Sequence, residues 1–111
     1  MNWNSLTEIG QLETIKEESF NQPVLILKHS KTCSISATAL NRLERNWKQE
    51  KVGDLKPYYL DLLAYRTVSN QIATNFDVEH QSPQVLLIKN GICTYSSTHF
   101  DISFAELEDV V

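Results

Sequence analysis

Apolar residues fall along this chain in two rhythms, short unbroken runs and stretches that recur every three or four positions. Leu6, Ile9, Leu12 and Ile15 keep helical spacing. Ser5-Leu6-Thr7-Glu8 has the form of a capping box, so a helix is predicted over roughly residues 5–18. Asn21-Gln22-Pro23 closes it, and the apolar run over residues 23–28 predicts a buried strand. A second helix opens at Cys33, carries Leu40, Leu43 and Trp47 on one face, and stops near Val52-Gly53-Asp54. Pro57-Tyr58-Tyr59-Leu60-Asp61-Leu62 reads as a second strand, followed by a helix with Val68, Ile72 and Phe76 at four-residue steps. Gln84-Val85-Leu86-Leu87-Ile88-Lys89 is a third strand. Asn90-Gly91 then predicts a tight hairpin, because both residues tolerate positive φ, and leads into a strand over Ile92-Cys93-Thr94-Tyr95-Ser96. Ser103-Phe104-Ala105-Glu106 is a second capping box, opening a closing helix with Phe104, Leu107 and Val111 facing inward.

The predicted order is helix, strand, helix, strand, helix, strand, strand, helix. A strand–helix–strand crossover buries a parallel pair, and a hairpin adds antiparallel strands. That is the minimal thioredoxin-like plan: an α/β, three-layer fold with a central mixed four-stranded sheet flanked by helices. At 111 residues the chain makes one domain, residues 1–111, with one core. Sheets of this kind place their sites beyond the carboxyl ends of the parallel strands, where Cys33 falls.

With 41% apolar and 22% charged residues the composition is that of a soluble globular protein. A net charge of −4 argues against a nucleic-acid surface, and no apolar run reaches membrane-span length. Met1-Asn2-Trp3-Asn4-Ser5 lacks the basic start and apolar run of a secretory signal, so a cytoplasmic protein is expected. Cys33 and Cys93 lie too far apart in sequence for zinc-ligand spacing, and His29, His80 and His99 do not complete such a pattern, so no metal site is expected. His80 and His99 read as surface or helix-end residues.

The chemistry points to Cys33. It follows a polar turn, Ser30-Lys31-Thr32, at the start of a helix, where unpartnered backbone N–H groups and the helix dipole favour an anion. There a thiol gives up its proton more readily, and the thiolate is the nucleophile. Thr32 is the expected N-cap, and Lys31 and a protonated His29 would add positive potential. Position 36, where a dithiol motif would carry its second cysteine, is Ser36. It is either a hydrogen-bond donor to the thiolate or a plain helix serine. Strand geometry argues against Cys93 as the cysteine that resolves a mixed disulfide on Cys33 and favours a strand residue packed under a helix. Its strand returns from the far pole, roughly 15–20 Å away, whereas a disulfide needs Cα atoms within about 7 Å. Ser82-Pro83 precedes a strand. An ordinary trans proline fits there, but the fold inference favours a cis bond, which leaves the N–H and C=O of residue 82 free for an extended ligand.

Over nearly its full length the chain resembles the monothiol bacilliredoxins, a YtxJ-like family within the thioredoxin-like superfamily. The resemblance rests on His29-Ser30-Lys31-Thr32-Cys33-Ser34-Ile35-Ser36, on the segment Asp61 to Asn70, on His80-Gln81-Ser82-Pro83-Gln84, and on Asn90-Gly91 and Thr98-His99. Many relatives carry proline where this chain has Ser34. The resemblance implies a thiol–disulfide oxidoreductase that removes bacillithiol from S-bacillithiolated client proteins through a mixed disulfide on Cys33. Bacillithiol then serves as thiol co-substrate, or another redoxin as reductant, with no tightly bound cofactor. Ser34, Ser82, Pro83 and Arg66 are the substrate contacts implied by fold and resemblance. Two other readings compete. A monothiol glutaredoxin-like protein would bind an iron–sulfur cluster, but its Cys-Gly-Phe-Ser site differs at Ser34-Ile35. A non-catalytic thioredoxin-like module would hold a partner without using Cys33.

Overall fold

The computed structural model describes residues 1–111. Its middle layer is a five-stranded sheet built from β1 (Asn4–Ser5), β2 (Val24–His29), β3 (Lys56–Asp61), β4 (Gln84–Lys89) and β5 (Ile92–Thr98). Across the sheet the order is β1-β3-β2-β4-β5. β1 and β2 both run parallel to β3, while β4 is antiparallel to β2 and β5 to β4. The helices are α1 (Gly10–Glu18), α2 (Ser34–Asn46), α3 (Gln49–Val52), α4 (Arg66–Phe76) and α5 (Phe104–Val110), with a 3₁₀ turn at His99–Asp101. None is long and apolar enough to cross a membrane.

Strand alternation divides the core between two faces. Val24 and Ile26 point to one side and pack with Leu12, Ile15, Val68, Ile72 and Phe76 from α1 and α4. Leu25 and Leu27 point to the other, against Ala39, Leu43, Val52, Phe104 and Leu107 from α2, α3 and α5. A strand covered on both faces needs apolar side chains at consecutive positions, which accounts for the unbroken run in β2.

The structure departs from the predicted elements in two places. Ser5 does not cap a helix. Asn4 and Ser5 pair with Tyr58 and Tyr59 as a fifth strand, and the Leu6 N–H donates to Tyr59 O at 2.9 Å. This extension buries Leu6 completely and leaves Ile9 exposed. The approach to α1 is held instead by Gln11. Its Oε1 accepts from the N–H groups of Thr7 (2.7 Å) and Glu8 (3.0 Å), and its Nε2 donates to Ser5 O (2.9 Å). The second departure divides the helix expected from Cys33 to Val52. Trp47 and Lys48 are extended between α2 and α3. Trp47 turns off the helix axis to pack on Phe104 and Trp3, with ring centroids 5.2 and 6.5 Å away.

The closing helix starts as the pattern predicts, with Ser103 Oγ accepting from the Glu106 N–H. The hairpin also forms at Asn90-Gly91, with φ of 54° and 81°. It is fastened to the end of α1, since the N–H groups of Asn90 and Gly91 donate to Ser19 O and Ser19 Oγ, both at 2.8 Å. A side chain at Gly91 would be strained by its left-handed φ and would push on the Phe20 ring. Gly91→Ala is expected to cost about 1–2 kcal/mol in denaturant unfolding. A neutral effect would show that the turn relaxes to another form.

Candidate functional site

β2 and β3 end side by side, with His29 opposite Asp61, and β4 starts with Gln84 opposite Lys28. The carboxyl ends of two parallel strands and the entry to the antiparallel one therefore share one sheet edge. At this edge the turn from Ser30 leads into Cys33, whose N–H donates to Ser30 O at 3.2 Å. Cys33, not Thr32, is the N-cap of α2. Its backbone is extended (φ −106°, ψ 119°), and its carbonyl accepts the first helical bond, from Ala37 N–H at 3.0 Å. Thr32 instead places Oγ1 3.3 Å from Ser30 Oγ, because the helix begins one residue later than its side chain suggests. The thiol is partly exposed. The first N–H groups of α2 have no preceding helical carbonyl, and such a helix start favours an anion by about 0.3–1 kcal/mol.

Ser36 is fully buried and does not serve the thiol. Its Oγ accepts from the Ser30 N–H at 3.0 Å and lies 2.6 Å from His29 Nδ1. The one hydroxyl thus holds both the Ser30 N–H and the His29 ring. Burial pushes the His29 pKa down, with smaller opposing effects from nearby charges. His29 is thus a neutral link between β2 and α2, not the positive neighbour expected from its place in the sequence. Lys31 is exposed and pairs with Asp61 Oδ2 at 3.2 Å, so part of its charge is spent on β3.

The remaining predicted residues gather at the same edge. The Ser82-Pro83 bond is cis. Pro83 is buried immediately before β4, and Pro83 O accepts from the His99 N–H at 3.0 Å. Ser82 Oγ is buried without a hydrogen-bond partner. Ser34 is exposed on the first turn of α2, and Arg66 is exposed at the start of α4. Cys93 is elsewhere. It pairs with Ile88, which pairs with Val24 at the opposite end of β2, about 16 Å of strand from His29. Its thiol donates to Tyr95 O, packs on the α1/α4 core and has its pKa raised by burial. No group of three His, Cys, Asp or Glu side chains is placed to hold a metal ion.

Sequence reasoning overlooked one residue beside the site. Lys28 is completely buried, and His80, exposed as expected, turns Nδ1 onto its ammonium at 3.2 Å. The signal was present in β2: residue 28 shares the inward face of Val24 and Ile26.

A lone accessible cysteine at a helix start, beside a cis-proline loop on this sheet, defines a thioredoxin-fold thiol oxidoreductase of the monothiol type. The fold matches thioredoxins of Malassezia sympodialis (Mala s 13) and Fasciola hepatica. Their TM-scores are 0.75 and 0.69 at 12% and 13% identity, over 97% and 96% of this chain and 86% and 93% of theirs. A solved thioredoxin-fold protein is 35% identical, with a TM-score of 0.81 over 95% of this chain and 89% of that one. The family model for the monothiol bacilliredoxin BrxC matches residues 4–107, and the chain belongs to that family.

Ser36→Ala would leave the Ser30 N–H and His29 Nδ1 buried and unpaired, with an expected cost of about 2–4 kcal/mol in urea unfolding at neutral pH. A loss under about 0.5 kcal/mol would show that the hydroxyl is not the joint between strand and helix. The histidines also set a pH dependence. Burial lowers the pKa of His29 and of His80, and the Lys28 and Arg66 charges lower that of His80 further. The unfolded chain therefore takes up protons first as pH falls. This stability is complete above the ordinary histidine value of about 6.5 and declines as pH drops from there through the folded-state values. His29→Gln should flatten part of that decline in denaturation measured between about pH 7 and pH 5; an unchanged slope would rule His29 out as a contributor.

Proposed function

We propose that this protein removes bacillithiol from S-bacillithiolated proteins by single-cysteine exchange, with residues 1–111 acting as one domain. The observation that carries the reading is the division of labour between positions 33 and 36. Cys33 is partly exposed at the helix start, while the side chain one turn further in is a hydroxyl bonded to His29 and Ser30. An intramolecular disulfide across this turn has no second sulfur, and Cys93 stands at the other pole. The family supports bacillithiol as the thiol concerned.

In the first step the Cys33 thiolate attacks the bacillithiol sulfur of the client's mixed disulfide. The client leaves as a thiolate and takes a proton, and bacillithiol remains on Cys33. A second bacillithiol thiolate, or the thiol of another redoxin, then attacks that bacillithiol sulfur. Cys33 is released as thiolate, and the outgoing bacillithiol forms a disulfide with the attacking thiol. In sum the disulfide is passed on: the client sulfur is reduced to a thiol, and the attacking sulfur is oxidised into the new disulfide with bacillithiol. Ser34, Ser82, Pro83 and Arg66 form the contact surface for the modified client, and Lys31 and Thr32 line the approach to the sulfur.

Transfer should be followed with a client protein carrying bacillithiol on one cysteine. Cys33→Ala is expected to abolish release, leaving under about 1% of the wild-type rate, whereas Cys93→Ala stays within about twofold. Release by Cys33→Ala, or loss of activity in a folded Cys93→Ala, would overturn the single-cysteine mechanism.

A further inference from the structure

Beneath the site edge, on the sheet face opposite α2, lies a buried cation without a counter-ion. Lys28 has no solvent exposure, and no carboxylate comes within salt-bridge distance of it. Its Nζ donates to Ser69 O on α4 and to His80 Nδ1, each at 3.2 Å. Burial pushes its pKa down to about 8, which leaves the ammonium the dominant form at neutral pH. Accepting this bond puts the His80 proton on Nε2. Ser69 Oγ stands 3.4 Å from the same Nδ1. Burying an ammonium is costly, and a Leu or Met at position 28 would fill an apolar face more cheaply. What the charge secures is the loop between α4 and β4.

That loop is held at three points. Gln84, itself buried, accepts from the Gln81 N–H with Oε1 at 3.3 Å and donates to Glu79 O with Nε2 at 3.1 Å. Between these two main-chain anchors, the His80 ring is drawn down onto Lys28. Lys28 and Gln84 are register partners on β2 and β4, so both clamps rise from one rung of the sheet. Ser82 and Pro83 follow directly.

We propose that Lys28, acting through His80, is a positioning residue that fixes the Ser82-Pro83 loop for binding of the mixed-disulfide client. This rests on the exchange reading above and adds to it a determinant of substrate affinity that never touches the reacting sulfurs. Loss of the latch should weaken binding of the client and leave the intrinsic reactivity of Cys33 as it was.

The experiment compares wild type, Lys28→Met, His80→Leu and His80→Asn. Asn can set its Oδ1 near the place of Nδ1 and keep an acceptor for the ammonium; Leu cannot. Three quantities are read: KM and kcat for the bacillithiolated client, the rate of Cys33 alkylation by iodoacetamide, and hydrogen exchange of the amides at 79–82. For His80→Leu and Lys28→Met the expectation is a KM raised roughly fivefold or more, kcat and alkylation within about twofold, and faster loop exchange; His80→Asn stays near wild type. Unchanged KM in His80→Leu overturns the proposal, even if loop exchange quickens, and so does a His80→Asn variant as impaired as His80→Leu. If Lys28→Met fails to fold, the two His80 variants still decide. If wild type itself does not turn over the client, the exchange reading fails and the positioning role fails with it. Loop exchange in the variants then still shows whether the latch itself holds residues 79–82.

Discussion

One hydroxyl joins the strand that carries the site to the helix that presents it. Ser36 Oγ accepts from the Ser30 N–H and shares a hydrogen bond with His29 Nδ1, so the end of β2 and the first turn of α2 cannot move apart without exposing buried polar groups. Cys33 lies on the chain between these two anchors, and its position at the helix start follows from them. The same bond explains why position 36 is unavailable for redox chemistry. Where a dithiol site keeps its second sulfur, this chain keeps a structural joint.

A second polar group lies on the other side of the sheet. Neighbouring residues of β2 point to opposite faces, so His29 faces α2 while Lys28 faces α4. Each is buried, and each is tied to a segment that borders the site: His29 to the helix start, Lys28 to the loop before Pro83. The site edge is thus braced from both faces of one strand by two consecutive polar residues at the end of an otherwise apolar run. Charge near the thiol is modest. His29 is neutral, Lys31 shares its charge with Asp61, and the open helix start supplies the remaining favourable potential.

Most of the architecture was legible in the sequence because it depends on hydrophobic spacing. The run in β2, the Val68-Ile72-Phe76 repeat, the Asn90-Gly91 turn and the Ser103 cap all mark their elements correctly. The failures are places where a tertiary contact overrides a local signal. Ser5 has a capping neighbour in Glu8, but pairing with Tyr59 draws it into the sheet. Trp47 keeps the helical period, but its ring finds a better surface on Phe104 and Trp3. At the site, Cys33 was legible from its turn and the following helix. The partners of Ser36, Lys31 and His80 were not, since each lies on an element whose approach no local pattern encodes. Lys28 alone left a trace, as a charge on an inward-facing position.

The account stands on exchange through a single sulfur, and its product is the most direct witness. A protein bacillithiolated at one cysteine would be mixed with a molar equivalent of this protein, without added thiol, and both chains weighed and peptide-mapped after acid quenching. The account predicts that bacillithiol moves to Cys33 and the client thiol appears in equal amount. A client that stays modified, a label on Cys93, or a disulfide between Cys33 and Cys93 would contradict it.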